Sequence, residues 1–239
     1  MRPDDGPTTQ GWYPSYAGSV LRFTLGSIPI RIQPTVLLVG VYVWFVSRSV
    51  EAAVVWTLAL VVAVLTHELG HALVVKRVGS EPAVTVWALG GYTAWVPTPS
   101  IGWKQRFAIS SAGSAMQLAV AASIWALGAA GLLGPTIQNA FGTNPFQLGG
   151  FGGGPVVGFL AIVVYLGMVW SLFNWIPIPG LDGAHMLRAL LGRAEPKTAE
   201  RVVMVVGLVV AAGLAGWLLW RGERFLAVFV LIIAATGIR

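Results

Sequence analysis

The chain has 239 residues, of which 56% are hydrophobic and 10% are charged. Soluble domains usually carry about 25% charged residues, so this composition excludes a water-soluble globule and indicates an integral membrane protein with several spans. The net charge of +6 does not indicate a nucleic-acid partner, because the basic residues cluster at the ends of apolar segments, as is typical of membrane orientation signals.

The N-terminal part of the chain changes from polar to apolar. Residues 1–20 lack the pattern of a signal peptide and predict a flexible cytoplasmic tail, so that residues 21–239 would form a single polytopic membrane domain. Residues 21–33 predict a short strand or an interfacial segment. Residues 34–46 predict a first span that is short for a bilayer, and residues 52–75 predict a second span of ordinary length.

The segment after the second span has a different character. Residues 84–89 and 92–96 are rich in β-branched and aromatic side chains and flank Gly90 and Gly91. This pattern predicts a β-hairpin that turns at the two glycines.

The C-terminal part of the chain is again mostly apolar. An uncharged, glycine-rich loop is predicted at 134–155, and a short helix is predicted at 183–191 after two prolines. Four further spans are predicted, at residues 107–133, 156–176, 202–220 and 225–238. The predicted fold class is therefore an all-α integral membrane protein with about six transmembrane helices and a short β-hairpin.

The basic residues predict the orientation of this membrane domain. With the N-terminus in the cytoplasm and six spans, Arg48, Arg221 and Arg224 fall outside and the other twelve Lys and Arg residues fall on the cytoplasmic side. The cytoplasmic set is Arg2, Arg22, Arg31, Lys76, Arg77, Lys104, Arg106, Arg188, Arg193, Lys197, Arg201 and Arg239. We therefore predict a multi-pass cell-membrane protein in which the end of the second span faces the cytoplasm.

That end of the second span carries the motif His67-Glu68-Leu69-Gly70-His71. Residues four apart lie on one face of a helix, so His67 and His71 can bind one metal ion, with Glu68 placed as a general base. Ionisable side chains inside an apolar span are costly and usually functional. The alternative is that both histidines pack between helices with their ring nitrogens satisfied.

A second polar segment runs from Asn174 to His185. Pro177 and Pro179 leave backbone carbonyls without helical partners, which is tolerated at membrane depth only inside protein or beside a wet cavity. Without cysteine, a metal site is restricted to His, Asp, Glu or backbone oxygen, and Asp182 can complete a site of two histidines, one carboxylate and one water. The alternative is that Asp182 only caps the helix that follows. For His185 three interpretations are open: an alternative third ligand, a hydrogen-bond donor to the metal-binding carboxylate, or a polar or interfacial residue near the site.

The two motifs together resemble the site-2 protease family of intramembrane zinc metalloproteases. That family carries HExxH on one span and an Asn- and Pro-rich segment ending in Asp-Gly on a later one. The matching residues here are His67, Glu68, His71, Asn174, Pro177, Pro179, Asp182 and Gly183. Residues 28–34 resemble the segment before the family's first span, and Gly90-Gly91 resembles its glycine-containing hairpin. Gln117 stands where the family often has Asn, Gln33 stands where many relatives have His, and no PDZ insertion is evident, so we predict a compact form.

The resemblance implies a role for each matching residue. His67, His71 and Asp182 would hold one Zn²⁺ per chain, and Glu68 would be the catalytic base. Asn174 would hydrogen-bond the substrate backbone or the oxyanion, or else cap carbonyls beside Pro177. The hairpin with Gly90 and Gly91 would offer an edge for an extended substrate, or else would be a plain surface hairpin.

The predicted function is hydrolysis of a peptide bond in or near the transmembrane segment of a membrane-anchored protein. The bilayer and a transmembrane substrate are then the expected partners, and no nucleic acid is expected. The alternative is a catalytically silent relative that binds membrane proteins.

Overall fold

The protein is described by a computed structural model that covers residues 21–88, 90–96, 101–130, 132, 154–192 and 195–237. The tail predicted at 1–20 and nearly all of the loop predicted at 134–155 lie outside these residues. The described part combines apolar helices with one small sheet.

Seven α-helices occur in the described residues. They are α1 (Leu37–Ser47), α2 (Val50–Arg77), α3 (Trp103–Ala129), α4 (Pro155–Asn174), α5 (Asp182–Leu190), α6 (Pro196–Trp220) and α7 (Arg224–Thr236). Of these, α2, α3, α4 and α6 are long and apolar enough to cross a membrane, which confirms four of the six predicted spans by length and composition. The helices α1 and α7 have 11 and 13 residues, fewer than the roughly 20 that a span needs, so a six-span fold stays a prediction.

The sheet has four strands in the order β1-β2-β3-β4. The strands are β1 (Leu21–Leu25), β2 (Ile28–Ile32), β3 (Ala83–Trp87) and β4 (Gly90–Ala94). Two antiparallel hairpins, β1-β2 and β3-β4, join through parallel pairing of β2 with β3. The all-α prediction with one hairpin was therefore incomplete, because the parallel pairing joins segments separated by α1 and α2 and leaves no local pattern.

The glycine pair lies in a different place from the predicted turn. Strand β3 ends at Trp87 and β4 begins at Gly90, so both glycines belong to the strand. A Cβ atom on Gly91 would lie 2.7 Å from Glu68 Cγ and 2.9 Å from Glu68 Oε1. Glycine is therefore needed because β4 packs directly on the motif-bearing face of α2, not because the chain reverses there.

Helix α2 is the centre of the described fold, since it packs against α1, α3, α4 and both β3 and β4. Small side chains allow these close contacts: Ala59, Ala63 and Ala72 are fully buried or nearly so, and a Cβ on Gly70 would overlap the backbone of α3. Small residues at helix contacts are typical of membrane bundles, where close van der Waals packing replaces a hydrophobic driving force. This packing fixes α3 beside the motif.

The proline-containing turn between α4 and α5 is held from two sides. Ile178 is fully buried, and Gly180 has a φ of +93° that favours glycine. On one side, Gly207 of α6 faces the turn so closely that a Cβ there would lie 2.7 Å from the Pro177 carbonyl oxygen. On the other side, Gly237 at the end of α7 lies against Pro179. Helices α6 and α7 thereby position the start of α5.

Candidate metal centre

Three side chains from two helices converge on one point. His67 Nε2 and His71 Nε2 of α2 lie 3.1 Å and 3.3 Å from Asp182 Oδ2 at the start of α5. The two Nε2 atoms are 3.1 Å apart. The three potential ligand atoms lie within 4.8 Å of one another, so they could share one metal ion. Residues that are more than a hundred positions apart in sequence thus form one group, as the pairing of the two motifs predicted.

The proton positions on His71 follow from its partner. His71 Nδ1 lies 2.6 Å from the backbone oxygen of Ile109. A carbonyl oxygen only accepts hydrogen bonds, so Nδ1 carries a proton, and in the neutral ring Nε2 has a free electron pair. His67 has a corresponding contact, because its Nδ1 lies 3.2 Å from Gln117 Oε1. In their neutral forms, both imidazoles therefore turn an electron pair toward Asp182.

The donor set fits a divalent metal. When both imidazoles are neutral, two electron pairs and one carboxylate oxygen meet at one point, and Asp182 Oδ2 is buried without a hydrogen-bond partner among the described residues. Such an arrangement is repulsive unless a cation lies between the atoms. Two histidines and one carboxylate, with a fourth position left for water, form a typical catalytic zinc site.

The geometry does not support Asp182 as the cap of α5 or His185 as a member of the ligand group. Leu181, and not Asp182, is the N-cap of α5, so Asp182 is the first helical residue and does not act as the cap. His185 lies one turn later in α5 and is not a member of the ligand group found among the described residues. Each histidine has a hydrogen-bond acceptor at Nδ1, whereas both Nε2 atoms point to Asp182 Oδ2, so the two rings do not simply pack between helices with both nitrogens hydrogen-bonded.

Glu68 is enclosed between α2 and β4. Its side chain is buried, and Thr93 Oγ1 of β4 donates a hydrogen bond to Glu68 Oε2 at 2.8 Å. The same hydroxyl oxygen lies 3.0 Å from the backbone oxygen of Glu68. The Thr93 hydroxyl and the close approach of Gly91 hold the Glu68 carboxylate against the backbone of β4.

The predicted substrate-binding residues lie at the end of α4 and at the start of β4. Asn174 is the last residue of α4 and is buried, eight positions before Asp182. Gly90 borders an apolar cavity of about 180 Å³ that extends between α2, α4 and α7, with Ala63, Trp170 and Phe229 among its lining residues. The cavity also reaches Gln117, so it adjoins the residue that contacts His67.

Three further residues of the site were not identified from sequence. Gly113 of α3 faces both rings, because a Cβ there would overlap His71 and lie 2.8 Å from His67 Nε2. Gln117 was noted only as a departure from a family pattern, and Thr93 only as part of a hairpin. Their roles depend on which elements pack together, for which the local sequence carries no signal.

The sequence is similar to a known family and to two curated proteins. Residues 151–214 match the family model described as Peptidase family M50. A Mycobacterium tuberculosis protein named as zinc metalloprotease Rip3 is 35% identical over 183 residues, covering 69% of this chain and 41% of that protein. A Synechocystis protein named as zinc metalloprotease sll0528 is 29% identical over 143 residues, covering 57% of this chain and 32% of that protein. The chain thus spans less than half the length of these curated relatives.

The fold itself is also shared with a solved structure. The site-2 protease from Methanocaldococcus jannaschii superposes with a TM-score of 0.59 at 21% sequence identity, covering 92% of this chain and 95% of that one. At that identity the likeness concerns the fold, and the sequence matches supply the relationship. The chain therefore belongs to the site-2 protease family of zinc metalloproteases.

Proposed function

We propose that the protein is an intramembrane metalloprotease that hydrolyses a peptide bond in or near the transmembrane segment of a membrane-anchored protein. The observation that carries this proposal is the convergence of His67, His71 and Asp182 beside Glu68 on α2, a helix long and apolar enough to cross a membrane. Ionisable side chains within a membrane span cost free energy, and apolar side chains would stabilise the helix packing there without that cost, so a metal site in α2 indicates a functional role.

His67, His71 and Asp182 would hold one Zn²⁺, the metal in the names of the curated relatives. When bound, zinc supplies Lewis-acid activation of water and of the scissile carbonyl. The carboxylates of Asp182 and Glu68 would balance the two positive charges of a bound zinc ion. A neutral assembly is far less costly in a low-dielectric surrounding than an isolated ion.

Glu68 would act as the general base. Its carboxylate accepts a proton from the attacking water and returns it to the leaving amine. The Thr93 hydroxyl holds Oε2 at 2.8 Å, which leaves Oε1 for this proton transfer. Proton transfer by a positioned side chain typically contributes about 10²- to 10⁴-fold to the rate.

The substrate would bind along β4. This strand is the last in the described sheet order, so an extended peptide can add to its outer edge through backbone hydrogen bonds. The absence of side chains at Gly90 and Gly91 would let the peptide backbone approach Glu68. Asn174 would hydrogen-bond the peptide backbone, and the apolar cavity beside Gly90 would accept an apolar side chain of a membrane segment.

The site would open toward the cytoplasm in a multi-pass cell-membrane protein. Lys76 and Arg77 close α2 immediately after the motif, and most basic residues share that side when the chain is threaded with a cytoplasmic N-terminus.

The test compares cleavage by wild type and Glu68→Gln in proteoliposomes. The probes are fluorescently labelled casein, as an unfolded polypeptide, and a panel of labelled single-span peptides. We expect Glu68→Gln to retain one zinc per chain, measured by elemental analysis, and to lose at least about 100-fold in rate. Glu51→Gln is a matched control, because Glu51 is an exposed glutamate in the first turn of the same helix.

Unchanged cleavage by Glu68→Gln would remove Glu68 as the base. A wild type that binds zinc but cleaves none of the probes would instead favour the catalytically silent relative. A wild type without zinc would contradict the proposal as a whole.

A further inference from the structure

Three helices of the bundle meet at the side-chain amide of Gln117. Gln117 of α3 is buried, with 2% of its surface exposed, and Ser171 of α4 beside it is fully buried. Three contacts surround the amide: Nε2 donates to the Ala63 backbone oxygen at 3.2 Å, Ser171 Oγ lies 3.2 Å from Oε1, and His67 Nδ1 lies 3.2 Å from Oε1. The amide therefore connects α2, α3 and α4 immediately behind the metal centre.

The hydrogen-bonding partners of this amide determine which of its ends is the oxygen and which is the nitrogen. The Ala63 carbonyl oxygen can only accept a hydrogen bond, so the NH₂ group must face it. The carbonyl oxygen Oε1 then faces Ser171 and His67, and Oε1 in turn can only accept. Both the Ser171 hydroxyl and His67 Nδ1 must therefore be donors.

The tautomer of His67 follows from this chain of contacts. With the proton on Nδ1, the electron pair is on Nε2, the atom that lies 3.1 Å from Asp182 Oδ2. For His71 the same result comes from the Ile109 backbone carbonyl, which no substitution can remove. One imidazole is thus oriented by main chain and the other by a single side chain.

An uncharged amide at position 117 meets the hydrogen-bonding needs of its neighbours without adding charge to the metal centre. A carboxylate behind His67 would add a third negative charge to a site that Asp182 and Glu68 already balance against a divalent cation. An apolar side chain would leave the buried Nδ1–H of His67 and the Ser171 hydroxyl without an acceptor. Gln117 supplies an acceptor without charge, and its Oε1 atom lies 3.2 Å from each of the two donors.

We propose that Gln117 is a positioning residue that holds His67 in its metal-binding tautomer and orientation. This inference rests on the proposed metal site, but it concerns the formation of the site and not the cleavage reaction. Removing a hydrogen-bond partner behind a metal-binding histidine typically weakens metal affinity about 10- to 100-fold.

The test measures zinc affinity by chelator competition in purified, detergent-solubilised protein. Gln117→Met keeps the length of the side chain and removes the acceptor, so we expect zinc to bind about 10- to 100-fold more weakly. Gln117→Glu restores an acceptor for Nδ1–H, and we expect its affinity to exceed that of Gln117→Met. Ser171→Ala, the matched control, removes only the second donor and should change affinity by less than about threefold.

A second measurement is made on the metal-free wild type, and a variant serves only to assign its signals. The chain has three histidines, so ¹⁵N-histidine labelling gives a simple spectrum, and a His67→Asn sample assigns the signals of this residue. We expect the neutral form of His67 to carry its proton on Nδ1.

A proton on Nε2, or a folded Gln117→Met protein with wild-type zinc affinity, would overturn the inference. Neither result would affect the proposed protease, which fails only if the wild type binds no zinc or cleaves nothing.

Discussion

Replacement of Gly113 by alanine is the sharpest steric test of the metal centre. This glycine of α3 lies directly opposite the two imidazoles, and a Cβ atom at its position would overlap His71 and lie 2.8 Å from His67 Nε2. Alanine is a better helix former than glycine by about 1 kcal/mol, so α3 itself should tolerate the change. The effect should therefore fall on the metal-binding atoms and not on the helix.

The size of the effect follows from the distances. Ordinary contacts of a Cβ begin near 3.4 Å, so His67 Nε2 must retreat by about 0.6 Å, and His71 by more. Zinc–ligand distances tolerate deviations of only about 0.2 Å. We expect the zinc affinity to fall at least roughly 100-fold, which corresponds to about 2.8 kcal/mol.

The assay is chelator competition on purified protein, with folding checked by circular dichroism and by elution from a sizing column. Two alanine substitutions serve as controls. Gly213→Ala and Gly216→Ala each add a methyl group in open space on α6. Wild-type zinc affinity in a folded Gly113→Ala protein would refute the placement of α3 against the two rings.

Three further outcomes are expected. Asp182→Ala should reduce zinc affinity at least about 100-fold with the fold retained, and normal metal content by elemental analysis would contradict its role as a ligand. Thr93→Val should lower turnover roughly tenfold with bound zinc unchanged, because Glu68 loses the hydroxyl that holds Oε2; equal steady-state rates would show that the contact is dispensable. Gly207→Val should lower the thermal unfolding midpoint, because its side chain would enter the proline-containing turn, whereas Gly216→Val, in open space on the same helix, should not; equal midpoints would contradict that packing.

The chain's local patterns predicted a large part of the fold. Four long apolar segments were recognised as spans, because the composition of a membrane helix is visible within about 20 residues. The hairpin at 84–96 was also recognised from its β-branched and aromatic residues. The first hairpin and its parallel pairing with β3 were not, because that pairing joins strands separated by two helices.

The candidate ligands were predictable for a similar reason. His67 and His71 share a helix face by spacing alone, and the proline-rich segment marks Asp182 as a carboxylate that follows an irregular stretch. The meeting of Asp182 with the histidines was inferred by resemblance and is now visible in the geometry.

Sequence by itself thus determined the membrane class, the long helices and the chemical identity of the candidate ligands, since each depends on residue type and short spacing. Tertiary structure alone decided that Gly91 is a contact with Glu68 and not a turn, that Gly113 leaves room for the imidazole rings, and that Gln117 faces His67. These three roles arise from distances between separate elements, and such distances are set by the packing of the whole bundle.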